Sequence, residues 1–141
     1  MSGAGGKLAS LGVALGPALA LVMALTVGPA LAAGSWVATA PGVRVALVER
    51  EVASATLPPP AAVSGGTIDS VGWRFRLPPG ASVQARLCHA EGCMALGAAQ
   101  GRSRALAGLP ADAPLHFRFA LAPVQRQAVA VQGLQVIVNY R

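Results

Sequence analysis

Lysine occurs once in this chain, at position 7, so every positive side chain from Leu8 onward is an arginine. Acids are almost as scarce: Glu49, Glu51, Asp69, Glu91 and Asp112 are the five. Two histidines, His89 and His116, and two cysteines complete the reactive inventory. An enzyme needs a nucleophile, a base or a metal-ligand set within reach of one substrate atom, and so short a list leaves few ways to build one. Cys88, His89, Glu91 and Cys93 can be drawn as a zinc knuckle, yet adjacent ligands in one short loop do not converge on a tetrahedral centre. His116 falls on the outward side of its strand, without the visible partner that a general base requires. The expectation is a protein that is not an enzyme and holds no cofactor and no metal.

Helical periodicity is also missing beyond the first thirty residues or so. That leading stretch has Lys7, then an uncharged apolar run from Leu8 to Val27, then the small residues Gly28-Pro29-Ala30-Leu31-Ala32-Ala33. Charge, apolar run and an A-x-A site at Ala30 and Ala32 make a secretory signal peptide over 1–32. The alternative, an uncleaved anchor, is opposed by Gly12, Gly16 and Pro17, which interrupt the run. Residues 33–141 then form one domain: 141 less 32 leaves 109 residues, enough to bury a core of its own. With Lys7 taken from the 11 basic residues, ten arginines face five acids, a net of +5. A sparse arginine excess outside the cytoplasm points to acidic protein partners, anionic head groups or cell-wall polymers rather than nucleic acid. It is equally consistent with a compositional bias.

What is present is alternation. Val71, Trp73, Phe75 and Leu77 share one side of Ile68–Leu77, with Ser70, Gly72, Arg74 and Arg76 on the other. Leu115, Phe117, Phe119 and Leu121 repeat the pattern against His116, Arg118 and Ala120. Leu134, Val136, Val138 and Tyr140 do so at the end of the chain, and Val43, Val45 and Leu47 at its beginning. Thr56–Gly66, with Pro58-Pro59-Pro60, is a surface crossing, and Ala105–Leu109 reads as one further short strand. In Val83–Leu96, four residues separate Cys88 from Cys93 and suit a hairpin turn. If the cysteines face each other, so do Leu87 with Met94 and Ala85 with Leu96, which places all the apolar side chains on one face. Export makes an even cysteine pair a disulfide, worth about 2 kcal/mol for so short a loop. The fold class is therefore all-β: a small antiparallel β-sandwich of about seven or eight strands with one hairpin disulfide.

In order along the chain, Gly34-Ser35-Trp36, Trp73-Arg74-Phe75, the stretch from Val83 through Arg86-Leu87-Cys88 to Cys93, Pro114-Leu115-His116-Phe117 and the ending Gln135-Val136-Ile137-Val138-Asn139-Tyr140-Arg141 resemble the periplasmic flagellar FlhE family. Val48–Gly65 matches it least. The resemblance implies a periplasmic, non-catalytic accessory of flagellum assembly. Its expected partners are flagellar export or basal-body components, flagellar subunits, or both, and its role is to limit proton leak through the export apparatus or to act as a chaperone.

The residues themselves suggest how partners would be held. Arg74, Arg76, Arg86 and Arg118 lie on polar strand faces, and if those strands share a sheet they form one basic patch suited to carboxylates. The same arginines would otherwise only solvate the surface. The terminal strand with Asn139, Tyr140 and Arg141 is a second candidate, through backbone pairing at a sheet edge, unless that strand lies inside its own sheet. A cell-wall glycan-binding module is the alternative function, with Trp36 free to stack on a sugar and Trp73 in the core. A monomer is expected, with no nucleic acid partner and no stable membrane insertion once the leader is removed.

Overall fold

The computed structural model describes residues 33–141; the expected signal peptide, 1–32, lies outside the described residues. Among the described residues nine strands follow one another: β1 (Gly34–Ala40), β2 (Val43–Val45), β3 (Val52–Ala53), β4 (Ile68–Arg76), β5 (Val83–His89), β6 (Gly92–Leu96), β7 (Gln100–Ser103), β8 (His116–Leu121) and β9 (Val129–Tyr140). They make two antiparallel sheets. The first runs β1-β9-β4-β7, with β2 also on β9, and the second runs β3-β8-β5-β6. The all-β reading holds, with the shortest strands bringing the number to nine.

The alternating residues meet between the sheets. Phe75 from the first sheet packs edge-on against Phe117 and Phe119 from the second, with centroids 6.1 and 5.1 Å away. Phe117 and Phe119 stack at 5.6 Å, and Val71, Leu87, Leu115, Val136 and Val138 close around them, all buried. Such aromatic contacts add directional preference to the burial of apolar area.

Three segments depart from the alternation reading, the first being Val43–Leu47, where the strand ends at Val45 and Leu47 is exposed. Ala105–Leu109 is a turn rather than a strand, with Leu106 plugging the core and Gly108 at φ 89°. The preceding Gln100–Ser103 is instead a strand, paired to β4 with Trp73 opposite Gly101. The Trp73 ring covers Gly101 so closely that a Cβ there would lie 2.7 Å from it. The inward positions of β7 are therefore glycine and serine, and no apolar alternation marks the strand in the sequence.

The hairpin has the expected register: Ala85 opposite Leu96, Leu87 opposite Met94 and Cys88 opposite Cys93. The disulfide Cys88–Cys93 is formed. Pairing continues one step further, to His89 with Gly92, so only Ala90 and Glu91 form the turn. The His89 ring is buried and held at both nitrogens, Nε2 at 2.9 Å from the Pro110 carbonyl and Nδ1 accepting from the Glu91 N–H at 3.1 Å.

Candidate binding faces

The four arginines expected to share a patch are divided between the two sheets. Arg86 on β5 is directly opposite Arg118 on β8, an arrangement of like charges that costs free energy unless compensated. Glu51, just before β3, supplies the compensation. Its Oε2 accepts from Arg86 Nη2 at 2.7 Å and lies 3.6 Å from Arg118 Nη1. The hydrogen bond from Arg86 holds the Glu51 carboxyl below its usual range, outweighing the opposing effect of desolvation. Beside them Arg118 Nε donates to His116 Nε2 at 3.2 Å. Partial burial, followed by the charges of Arg118 and Arg86, pushes the His116 pKa down. Both arginines of this face are thus engaged with one carboxylate of their own chain.

The outer face of the first sheet is different. Arg74 and Arg76 point out from β4, and Arg102, which the sequence reading passed over, points out from β7. The register sets two rows side by side across the sheet: Val37, Ile137, Gly72 and Arg102 in one, Thr39, Gln135, Arg74 and Gln100 in the next. Gly72 leaves a gap in the first row. The result is a shallow depression of about 340 Å³ that Arg74, Arg102, Gln100, Gln135 and Ile137 line around it. Among the described residues the ion pairs join Arg86 and Arg118 to Glu51, and Arg104 and Arg141 to Asp69. Arg74, Arg76 and Arg102 take part in none of them. A glycine in mid-strand and a Gln-x-Arg pair on the polar side of β7 were the sequence signals for this site. Neither stood out without the pairing.

The C-terminal candidates have structural duties. β9 is flanked by β1 and β4 over Leu134–Tyr140, so the expected open edge does not exist there; β1 and β7 end the sheet instead. Asn139 Nδ2 donates to Ser70 Oγ at 3.2 Å. The Tyr140 ring lies over Gly34, where a Cβ would be 2.7 Å from it. Arg141 exchanges backbone hydrogen bonds with Thr67 and lies 3.6 Å from Asp69.

The tryptophans exchange their expected places. Trp36 is 3% exposed and donates through Nε1 to the Ala111 carbonyl at 3.0 Å, so it offers no ring to a sugar. Trp73 is the half-buried one, at the rim of the first sheet, with Nε1 donating to Ala98. Its position on the core face is as expected, but β7 is too short and too small in its side chains to cover the ring.

A family model for flagellar protein FlhE matches residues 42–141. The chain belongs to the FlhE family. The matched span takes in both sheets, the disulfide hairpin and the arginines of both outer faces, leaving only β1 outside it. A flagellar protein FlhE of Yersinia enterocolitica is 36% identical over 118 residues, covering 79% of this chain and 84% of the relative. One from Salmonella typhimurium is 36% identical over 80 residues, 54% of this chain and 62% of the relative. A crystal structure of FlhE superposes with a TM-score of 0.70 at 32% identity, over 77% of this chain and 97% of that one. The FlhE family is a flagellar accessory family and not a known enzyme family.

Proposed function

We propose that this protein is an exported, non-catalytic accessory of flagellum assembly that works in the periplasm by binding other proteins through the outer face of its first sheet. FlhE family membership supports the flagellar part of this reading. The observation that carries the binding part is the charge distribution: Arg86 and Arg118 of the second sheet are both ion-paired with Glu51, whereas Arg74, Arg76 and Arg102 join none of the ion pairs among the described residues. Arginine forks outside any ion pair, two of them (Arg74 and Arg102) lining a shallow depression, suit carboxylate-bearing protein surfaces. The interior is filled by aromatic and aliphatic side chains, which leaves recognition to the surface.

Binding at export components would let the protein limit proton leak through the export apparatus, and binding to subunits would make it a chaperone. Affinity capture from periplasm with the tagged protein separates the two. Basal-body export components in the eluate support the first, and rod, hook or filament subunits the second. Recovery of peptidoglycan alone, or normal flagellation after deletion of the gene, would overturn the proposal.

A further inference from the structure

We infer that the depression at Gly72 is a binding site for an acidic protein segment, with Arg74 and Arg102 holding a carboxylate and Val37 and Ile137 receiving an aliphatic side chain next to it. The inference rests on the protein-binding function proposed above and gives that function a site and a ligand class.

Gly72 lies opposite Arg102 on β7 and opposite Ile137 on β9, and Arg74 lies opposite Gln100 and Gln135. Arg74 and Arg102 are thus diagonal neighbours on one face of an antiparallel pair, a separation that long side chains span readily. Both line the same depression. Two arginines that line one recess and join no ion pair among the described residues can close on a bound carboxylate as a clamp. Gln100 and Gln135, in the same lining, each carry a donor and an acceptor for the amides of a bound main chain.

Beside the clamp the surface turns apolar. Val37 is 51% exposed and Ile137 39% exposed, and they are direct partners across β1 and β9. An acidic residue next to an aliphatic one satisfies both halves of the row at once. A membrane surface fits less well, because the basic groups surround a recess instead of projecting from a flat or convex face, and no lysine accompanies them.

The site can be closed without disturbing the fold. A Cβ built on Gly72 meets the Gly101 carbonyl at 3.7 Å and the Ile137 Cβ at 3.9 Å, which are ordinary contacts. Gly72→Leu therefore fills the depression with a side chain that a strand accepts.

The test uses protein recovered from the periplasm after expression of the full chain, and a fluorescently labelled peptide alternating Asp and Leu. Anisotropy is expected to show saturable binding that weakens at least tenfold when Asn replaces Asp in the peptide. A tenfold or greater loss is likewise expected in Gly72→Leu and in the double variant Arg74→Gln/Arg102→Gln, each checked for an unchanged unfolding midpoint. The double variant Arg86→Gln/Arg118→Gln should bind as the parent does. Absence of peptide binding, or equal loss in both arginine pairs, would overturn the site. So would binding to phosphatidylglycerol vesicles that depends on Arg74 and Arg102 while the peptide fails to bind. Undiminished capture of flagellar proteins by Gly72→Leu overturns the site and leaves the flagellar function standing. Peptide binding at Gly72 in a protein that captures no flagellar component supports the site and overturns the function.

Discussion

Trp36 donates its indole N–H to the carbonyl of Ala111 at 3.0 Å, across 75 positions of sequence. The bond ties β1, an edge strand, to the segment leading into β8 of the other sheet, and both residues are buried. Trp36→Phe keeps most of the packing but strips a buried carbonyl of its partner, at a cost of about 1–3 kcal/mol. Trp36→Ala removes the ring as well and costs about 3–5 kcal/mol. Urea unfolding of both variants against the parent separates the two contributions; an unchanged midpoint in Trp36→Phe would mean the hydrogen bond contributes nothing.

The cluster of Glu51, Arg86, Arg118 and His116 makes stability depend on pH. Glu51 has a folded-state pKa below its ordinary value near 4.5, so its contribution is present above that value and disappears as the pH falls through the folded pKa. His116 is also shifted down, from an ordinary value near 6.5. The unfolded chain therefore takes up its proton first, and stability is lost from there downward. Both groups act in the same direction. Denaturation midpoints between about pH 7.5 and pH 4 should fall with acid, and the fall should be smaller in Glu51→Gln/His116→Gln. An unchanged slope in that variant would assign the pH dependence to other groups.

Reducing the Cys88–Cys93 disulfide should lower stability by about 2 kcal/mol, the amount a short closed loop gives. The strands should stay paired, because β5 is held by β8 over Val83–Cys88 as well as by β6. Amide exchange in β6 should rise more than in β8 when dithiothreitol is added. Collapse of the whole domain on reduction would show that the bridge does more than secure an edge hairpin.

Gly101→Val should move Trp73. The new Cβ would lie 2.7 Å from Trp73 Cζ2 and 2.9 Å from Cη2, so the ring must leave its place over β7, at about 1–3 kcal/mol. With Trp36→Phe as background, Trp73 is the one emitter, and its emission should shift to the red. Unshifted emission would mean that β7 yields in place of the ring.

The residues that form the hairpin could be paired from sequence because the evidence was local. A four-residue gap and period-2 alternation admit one register that puts Ala85, Leu87, Met94 and Leu96 on one face, and a slip by one would bury Arg86. Segments with little alternation were missed for the same reason. Gln100–Ser103 is a strand whose inward side is occupied by a ring from β4, a contact supplied by Trp73 and unwritten in the strand itself.

Sequence by itself determined the fold class, the inward phenylalanines, the cysteine partners and the resemblance to the FlhE family, all of which follow from alternation, short-range spacing and order along the chain. Only the tertiary structure decided which strands share a sheet. That choice separated Arg74 from Arg86 and Arg118, brought Arg102 beside Arg74, buried Trp36 and placed the terminal strand at the centre. Side-chain alternation assigns each residue a face of its own strand, whereas the neighbours on that face come from pairings between distant segments, which depend on the packing of the whole core.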